Sequence, residues 1–293
     1  MKEIRGCGTA LITPFTGSFD VDYNSFGKLV ERQLDAGIDF LVPLGTTGET
    51  PCLEDSEKER ILGITMEMAK GKVPVVAGAG SNCTKEVISN ISKLSKYKPD
   101  AFLVVVPYYN KPTQQGIYEH FKAISESTPT PIILYNVPGR TGTNMTTETA
   151  LKLAGFKNII ATKEASGNYA QISEIIRMAP DGFTVLSGND DETLSLMSTG
   201  ARGVVSVASN VAPRPLVNMT KLLMQGKTEE AAKMHHLLMP LFKGCFVESN
   251  PIPVKAALTL LGMIENNLRL PLTRSNRTTE ELMGRLLKEL DLL

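Results

Sequence analysis

Eight short apolar runs, rich in Val, Ile and Leu, recur along the chain and alternate with longer segments of helical periodicity. The runs are GTALITPF, IDFLVPLG, VPVVAGAG, AFLVVVP, PIILYN, NIIATKE, FTVLSG and GVVSVAS. Several helical segments begin with Ser, Thr, Asp or Pro and end at Gly, which are typical capping residues. Apolar strands that alternate with helices indicate a parallel sheet covered by helices.

The number of strand–helix units favours one architecture within the α/β class. Eight units precede about residue 226, which fits a (β/α)8 TIM barrel better than a doubly wound sheet. We therefore predict a barrel over residues 1–226. Three further helical patterns predict a C-terminal helical region over residues 227–293, which we interpret as an appendage because no Gly/Ser-rich or Pro-rich linker precedes it.

Composition excludes several classes of function. The 31 basic and 31 acidic side chains give a net charge of zero, so no electrostatic signature indicates nucleic acid. No apolar run approaches the roughly 20 residues that span a bilayer, and the N-terminal residues have no signal-peptide layout, so we expect a cytoplasmic protein. The 4 cysteines lack CxxC spacing and the 3 histidines lack ligand spacing, so we expect neither disulfides nor a metal site.

A lysine stands at the far end of the sixth apolar run, NIIATKE. Alternation of side chains along a strand predicts that Ile159, Ala161 and Lys163 share one face. On a covered apolar face an ammonium is costly to desolvate, and its pKa is lowered. Taken alone, Lys163 is more readily explained by snorkelling at an edge or by pairing with a carboxylate than by a reactive role.

The ends of the predicted strands carry the other reactive groups, and in a barrel all of these ends meet at one rim. The segments are GTTGET (45–50) after strand two, PYYNKP (107–112) after strand four, YNVPGRTG (135–142) after strand five, and SGNDD (187–191) after strand seven. Each segment alone is compatible with an ordinary turn or a solvated loop. Their convergence on one rim with a buried lysine favours an active site.

These residue types suit iminium chemistry on a 2-oxo acid. A neutral Lys163 amine is nucleophilic, and its imine would act as an electron sink that lets the neighbouring methyl lose a proton. Tyr135, one strand away, can move that proton. Thr46 and Thr47 can donate hydrogen bonds to the substrate carboxylate, and the fork of Arg140 suits a second carboxylate.

Five segments occur in an order that resembles the dihydrodipicolinate synthases of the N-acetylneuraminate lyase superfamily. They are GTTGE, PYYNKPTQQG, YNVPGRTG, KEASGN and SGNDD. The resemblance extends from about Gly6 to NPIPVKAAL (250–258) and beyond, which is essentially the whole chain. The arginine of YNVPGRTG favours the synthases over the sugar-acid aldolases of the superfamily, which lack it at the matching place.

The resemblance implies a role for each residue around the imine. Lys163 would form a Schiff base with pyruvate, and Tyr135 would shuttle protons over it. Thr47 would link Tyr135 to Tyr109 in a hydroxyl relay, with Tyr109 contributed by the neighbouring subunit of a tight dimer. Thr46 and Thr47 would hold the pyruvate carboxylate.

The resemblance also implies the second substrate and the surroundings of the reaction. Arg140 would bind the carboxylate of aspartate 4-semialdehyde, while Gly188 and Val205 would provide backbone contacts near the imine. No metal or organic cofactor would be needed. The family is commonly a homotetramer, a dimer of tight dimers, and its reaction leads to diaminopimelate and lysine in the cytoplasm.

Two other functions remain open from the sequence. A superfamily aldolase that cleaves sugar acids would share Lys163 and Tyr135 but would not need Arg140. A barrel that binds a keto acid without turnover, as a sensor or interaction protein, would have no use for a proton relay.

Regulation by lysine is a further expectation that comes from the resemblance. Some family members are inhibited by lysine at the tight-dimer interface, and here that pocket would be lined by Lys58, Asn82, Glu86 and Tyr108. Lysine-sensitive members tend to carry an imidazole at the position of Lys58. A second ammonium close to the amine of the effector would repel it, so we predict weak or absent inhibition.

Overall fold

The computed structural model describes residues 3–293, and its eight strands form one parallel sheet that curls into a barrel. The hydrogen-bonded order is β2-β1-β8-β7-β6-β5-β4-β3. A parallel bridge between Leu41 and Val75 joins the two ends of this order, and the Gly78 N–H donates to the Pro43 carbonyl at 2.9 Å. The predicted (β/α)8 TIM barrel is therefore confirmed. Its strands are β1 (Gly6–Ala10), β2 (Phe40–Val42), β3 (Val76–Gly78), β4 (Ala101–Val105), β5 (Ile132–Asn136), β6 (Ile159–Glu164), β7 (Thr184–Ser187) and β8 (Gly203–Ser206).

Helices follow the strands as the sequence predicts, and three more form the predicted C-terminal helical region. They are α1 (Tyr23–Asp35), α2 (Asp55–Ala69), α3 (Thr84–Leu94), α4 (Gln114–Ser127), the short α5 (Pro138–Thr141), α6 (Thr147–Ala154), α7 (Tyr169–Met178), α8 (Thr193–Ser198), α9 (Pro213–Met224), α10 (Thr228–Gly244), α11 (Ile252–Leu260) and α12 (Arg277–Glu289). Helix α10 packs on α8 and α9 and also contacts α12. The division of the chain at residue 226 stays a prediction. In the part of the chain that the structure describes, no helix is long and apolar enough to cross a membrane.

The structure corrects the predicted face of Ile159. Strand β6 contains a bulge, because Ile132 of β5 pairs with Ile159 while Ile133 pairs with Ala161. Ile160 is the extra residue, so alternation is broken at this point. Ile159 consequently lies in the core between strands and helices, whereas Ala161 lies inside the barrel. The prediction that Ile159 shares a face with Ala161 and Lys163 is wrong for this reason.

Candidate active site

A cavity of about 120 Å³ lies at the carboxyl ends of the strands, where active sites of such barrels form. Seven of the eight predicted site residues line it, coming from the segments that end β2, β5, β6, β7 and β8. They are Thr46, Thr47, Tyr135, Arg140, Lys163, Gly188 and Val205. The eighth, Tyr109, does not line the cavity, and its side chain is 87% exposed.

Lys163 is buried and lines this cavity, and its Nζ lies 4.1 Å from the centroid of the Tyr135 ring. Burial lowers the pKa of Lys163 to about 7; Arg140 adds to this effect and Asp190 opposes it. No carboxylate within residues 3–293 lies at ion-pair distance from this amine, so pairing does not explain the lysine. A substantial fraction of the Lys163 amine is then neutral at pH 7, and the neutral amine is the reactive form.

Tyr135 stands beside Lys163 because the two residues are paired in the register of β5 and β6. Both side chains therefore point into the barrel. Burial raises the pKa of Tyr135 to about 12, and Arg140 partly offsets this. The phenol consequently keeps its proton at neutral pH and is available as a hydrogen-bond donor and proton donor.

The turn after β2 presents two hydroxyl groups in a short 3₁₀ helix over Thr46–Gly48. Thr46 is exposed, whereas Thr47 is buried with only 3% of its surface accessible. The Thr47 Oγ1 accepts a hydrogen bond of 2.8 Å from the Asn250 Nδ2. The turn thus places one hydroxyl at the cavity surface and one in a fixed, buried position beside it.

Arg140 lies on the short helix α5, directly after β5, and its side chain is exposed where it lines the cavity. No ion pair of Arg140 occurs among residues 3–293, which leaves the guanidinium free for a carboxylate ligand. The segment that follows it is anchored through Asn136, whose Nδ2 donates to the Asn144 Oδ1 at 2.8 Å and whose Oδ1 accepts from the Met145 N–H at 3.0 Å.

Gly188 lets the end of β7 approach Lys163 closely. A Cβ atom at this position would lie 2.7 Å from the Ala165 Cβ and 3.1 Å from the Lys163 Cε. Its N–H donates to the Glu164 carbonyl at 2.6 Å, which fixes the approach. Val205 is buried inside the barrel, in register with Gly8 of β1. Both residues therefore border the space around the lysine.

Residues 3–290 match the model of the dihydrodipicolinate synthetase family, which is nearly the whole chain. The chain belongs to this family. The 4-hydroxy-tetrahydrodipicolinate synthase of Phocaeicola vulgatus is 50% identical over 289 residues, covering 98% of this chain and 97% of the relative. The crystal structure of the dihydrodipicolinate synthase from Thermotoga maritima superposes with a TM-score of 0.97 at 46% identity, covering 99% of both chains. A structure described as the first monomeric dihydrodipicolinate synthase variant also gives 0.97 at 46% identity, covering 99% of this chain and 97% of that one.

Tyr109 stands apart from the cavity in this member of the dihydrodipicolinate synthetase family. Its backbone is in the left-handed region at φ 73°, and its N–H donates to the Thr141 carbonyl at 3.3 Å. Its neighbour Tyr108 lines the cavity instead. A relay from Tyr135 through Thr47 to Tyr109 is therefore not assembled within one chain of this family member.

Two further polar residues of this family member were missed as site residues by sequence reasoning. Asp190 is buried and accepts hydrogen bonds from the N–H groups of Val207 and Ala208 at 3.0 and 2.9 Å, close enough to Lys163 to oppose the lowering of its pKa. Asn250 lines the cavity and contacts Thr47. Both lie in segments that carry the resemblance, SGNDD and NPIPVKAAL. Membership of these segments is the sequence feature that could have identified them as site residues.

Proposed function

We propose that this chain is a lyase that condenses pyruvate with L-aspartate 4-semialdehyde to give 4-hydroxy-tetrahydrodipicolinate, the first committed step toward diaminopimelate and lysine. The observation that carries the proposal is the buried Lys163 amine, whose pKa is about 7, in a cavity that also presents the Arg140 guanidinium. The relatives named 4-hydroxy-tetrahydrodipicolinate synthase support the same reaction.

The proposed reaction begins when the neutral Lys163 amine attacks the ketone carbon of pyruvate; the adduct takes up one proton as water leaves, which gives a protonated imine. The imine draws electrons from the methyl group, which loses a proton and becomes an enamine carbon. This carbon attacks the aldehyde, and the new alkoxide takes up a proton. The amine of the second substrate then attacks the imine carbon, closes the ring and releases Lys163, so no metal or organic cofactor enters the sequence.

The other cavity residues would bind the substrates and move their protons. Tyr135, which stays protonated at neutral pH, would donate and recover the proton exchanged at the imine. Thr46 and Thr47 would hold the pyruvate carboxylate through their hydroxyl groups, and Gly188 and Val205 would border the imine. Two carboxylate sites in one cavity suit two acids that react with each other.

The assay that tests this function compares condensation with cleavage. Purified chain is given pyruvate plus aspartate 4-semialdehyde, and in parallel a series of sugar acids, with Lys163→Ala as the inactive control. We expect condensation only. Cleavage of a sugar acid at a comparable rate would favour the aldolase function, and binding of pyruvate without any turnover would favour the sensor function.

We further propose a homo-oligomer in the cytoplasm, a tetramer built as a dimer of tight dimers. The exposed Tyr109 supports an interface on the surface where it lies, because a partner is needed to bring a tyrosine from a second chain to Thr47. One solved relative is a monomeric variant, so sedimentation analysis at assay concentrations is the direct test.

Arg140→Ala is expected to raise KM for aspartate 4-semialdehyde by about tenfold to a hundredfold and KM for pyruvate by less than about twofold. A charge-assisted hydrogen bond contributes roughly 1.5–3 kcal/mol, and the Arg140 side chain has no ion-pair partner among residues 3–293 to lose in this variant. Initial rates with each substrate varied in turn measure the two constants, and Arg214→Ala, which lies outside the cavity, is the matched control. Equal effects on both substrates would assign Arg140 a structural role.

Inhibition by lysine is expected to be weak or absent, with initial rates changing by less than about twofold up to millimolar lysine. The structure pairs Lys58 with Asp55 at 3.5 Å, but Asp55 also contacts Lys93, so the ammonium of Lys58 is only partly neutralised. Glu86, the carboxylate left to attract an effector amine, already accepts a hydrogen bond from Ser81. Half-inhibition below about a millimolar, a binding energy above roughly 4 kcal/mol, would contradict the repulsion argument.

A further inference from the structure

Two buried polar contacts join helix α11 and the segment just before it to the turn that carries Thr47. At the first, the Asn250 Nδ2 donates to the Thr47 Oγ1 at 2.8 Å across 203 positions of sequence. At the second, the Lys255 Nζ lies 2.5 Å from the Glu49 Oε1, and both side chains are fully buried. Neither contact takes part in the reaction described above, so their effect on the turn needs a separate explanation.

The second contact holds the turn in a conformation that it would not adopt freely. Glu49 has a φ of 53° and lies in the left-handed region, which is unfavourable for a residue with a side chain. Its other oxygen accepts from the Arg269 N–H at 3.0 Å, and Lys255 is itself fixed by donating to the Asn267 carbonyl at 2.9 Å. The ion pair therefore anchors the residue that directly follows Thr46–Gly48.

The first contact determines which hydrogen bonds the Thr47 hydroxyl can still make. A hydroxyl offers one proton and two lone pairs. Because the Asn250 amide donates to one lone pair, the Thr47 proton is directed to another acceptor. Within residues 3–293 no other hydrogen bond of the Thr47 side chain occurs, while Thr47 and Asn250 both line the cavity. The proton is thus free for an acceptor inside the cavity.

We propose that Asn250 is a positioning residue, which orients the Thr47 hydroxyl so that its proton is donated into the cavity. There it meets either the substrate carboxylate or the oxygen of Tyr135. The inference rests on the proposed function, because it acts through Thr47. It also makes the region after residue 226 part of the active site, with Asn250, two residues before α11, and Lys255 of α11 both held against the turn.

A double-mutant cycle tests the inference. Asn250→Ala is expected to lower kcat about tenfold, as for the loss of one hydrogen bond, with KM for aspartate 4-semialdehyde changed by less than about twofold. In a Thr47→Val background, where the hydroxyl is absent, the same substitution is expected to lower kcat by less than about twofold. Asn266→Ala, an asparagine that contacts Ser275 and Glu280 instead of the turn, is the matched control for activity.

The outcomes separate this inference from the proposed function. An equal loss from Asn250→Ala in both backgrounds, or no loss in the wild-type chain, would overturn the positioning role alone. A Thr47→Val chain with wild-type kcat would overturn the relay and the inference together. Thermal unfolding checks that each variant folds. If Asn250→Ala does not fold, Asn250→Asp keeps the shape and, assayed at alkaline pH where its carboxyl group is ionised, has no proton to donate; we expect at least a tenfold loss, and wild-type rates would overturn the inference.

Discussion

Lys163→Arg is expected to abolish covalent trapping of pyruvate and to lower kcat by at least about a thousandfold, because a guanidinium stays protonated and is a poor nucleophile. In the wild-type chain, borohydride added with pyruvate should reduce the imine and leave one adduct on Lys163, with complete loss of activity. Mass spectrometry of the intact chain and of its peptides locates the adduct. Slow residual turnover of Lys163→Arg through positioning of the two substrates is compatible with the mechanism.

Lys255 provides a control for this experiment within the same chain. It is also a buried lysine, and burial lowers its pKa to about 8, but Glu49 and the Asn267 carbonyl occupy its amine. We expect no adduct there. An adduct on Lys255, on any other lysine, or on none would contradict the assignment of Lys163 as the nucleophile.

The pH dependence of trapping follows from the pKa of about 7 at Lys163. The neutral amine is the reacting form, so its fraction grows as pH rises through the pKa. The initial trapping rate at low pyruvate should therefore rise about tenfold per pH unit below 7 and level off above it. A rate that continues to rise toward pH 10 would indicate an amine with an ordinary lysine pKa, and hence an exposed one.

The sequence predicts those parts of the site that depend on local pattern and strand order. Lys163 and Tyr135 end neighbouring apolar strands, and a barrel brings both ends to one rim whatever the exact register. The bulge at Ile160 is different, because it depends on how β6 fits β5 and leaves no mark in the apolar run. The inserted residue moves the side chain of Ile159 to the opposite face of the strand and leaves Lys163 on the predicted face.

Contacts between distant segments account for most of what the sequence does not predict. The hydrogen bond from Asn250 to Thr47 depends on where α11 comes to lie against the barrel, which no spacing within NPIPVKAAL specifies. The buried Glu49–Lys255 pair is of the same kind, since each residue alone is typical of an exposed charge. The contacts of Tyr109 are even harder to predict from sequence, because its proposed partners lie on a second chain.

The relay residues give the second large expected effect. Tyr135→Phe, Thr47→Val and Tyr109→Phe should each lower kcat on the order of 10²–10³-fold, the contribution of general acid–base transfer. The three hydroxyl groups would act as a unit, so double variants should be only slightly worse than the single ones. Steady-state kinetics of the single and double variants measures this coupling. Multiplicative losses would show that the residues act independently.

Mixed dimers decide whether Tyr109 acts across the interface, as its exposed side chain suggests. A dimer of one Tyr109→Phe chain and one Lys163→Ala chain contains one site with both native residues only if Tyr109 is donated by the partner. Equal co-expression with separable tags should then restore about a quarter of wild-type activity, because half of the dimers are mixed and each has one intact site of two. If Tyr109 acts within its own chain, every site lacks one residue and no activity returns.

A control for complementation places both substitutions on one chain. Co-expressed with the Tyr109→Phe chain, this double variant leaves no intact site under either arrangement, so activity should not exceed that of Tyr109→Phe alone. Native mass spectrometry establishes that mixed dimers form in both experiments. Formation of mixed dimers without any rescue would contradict the shared site, and the exposed Tyr109 would then have to reach Thr47 by a movement of its own loop, which the hydrogen bond from its N–H to the Thr141 carbonyl opposes.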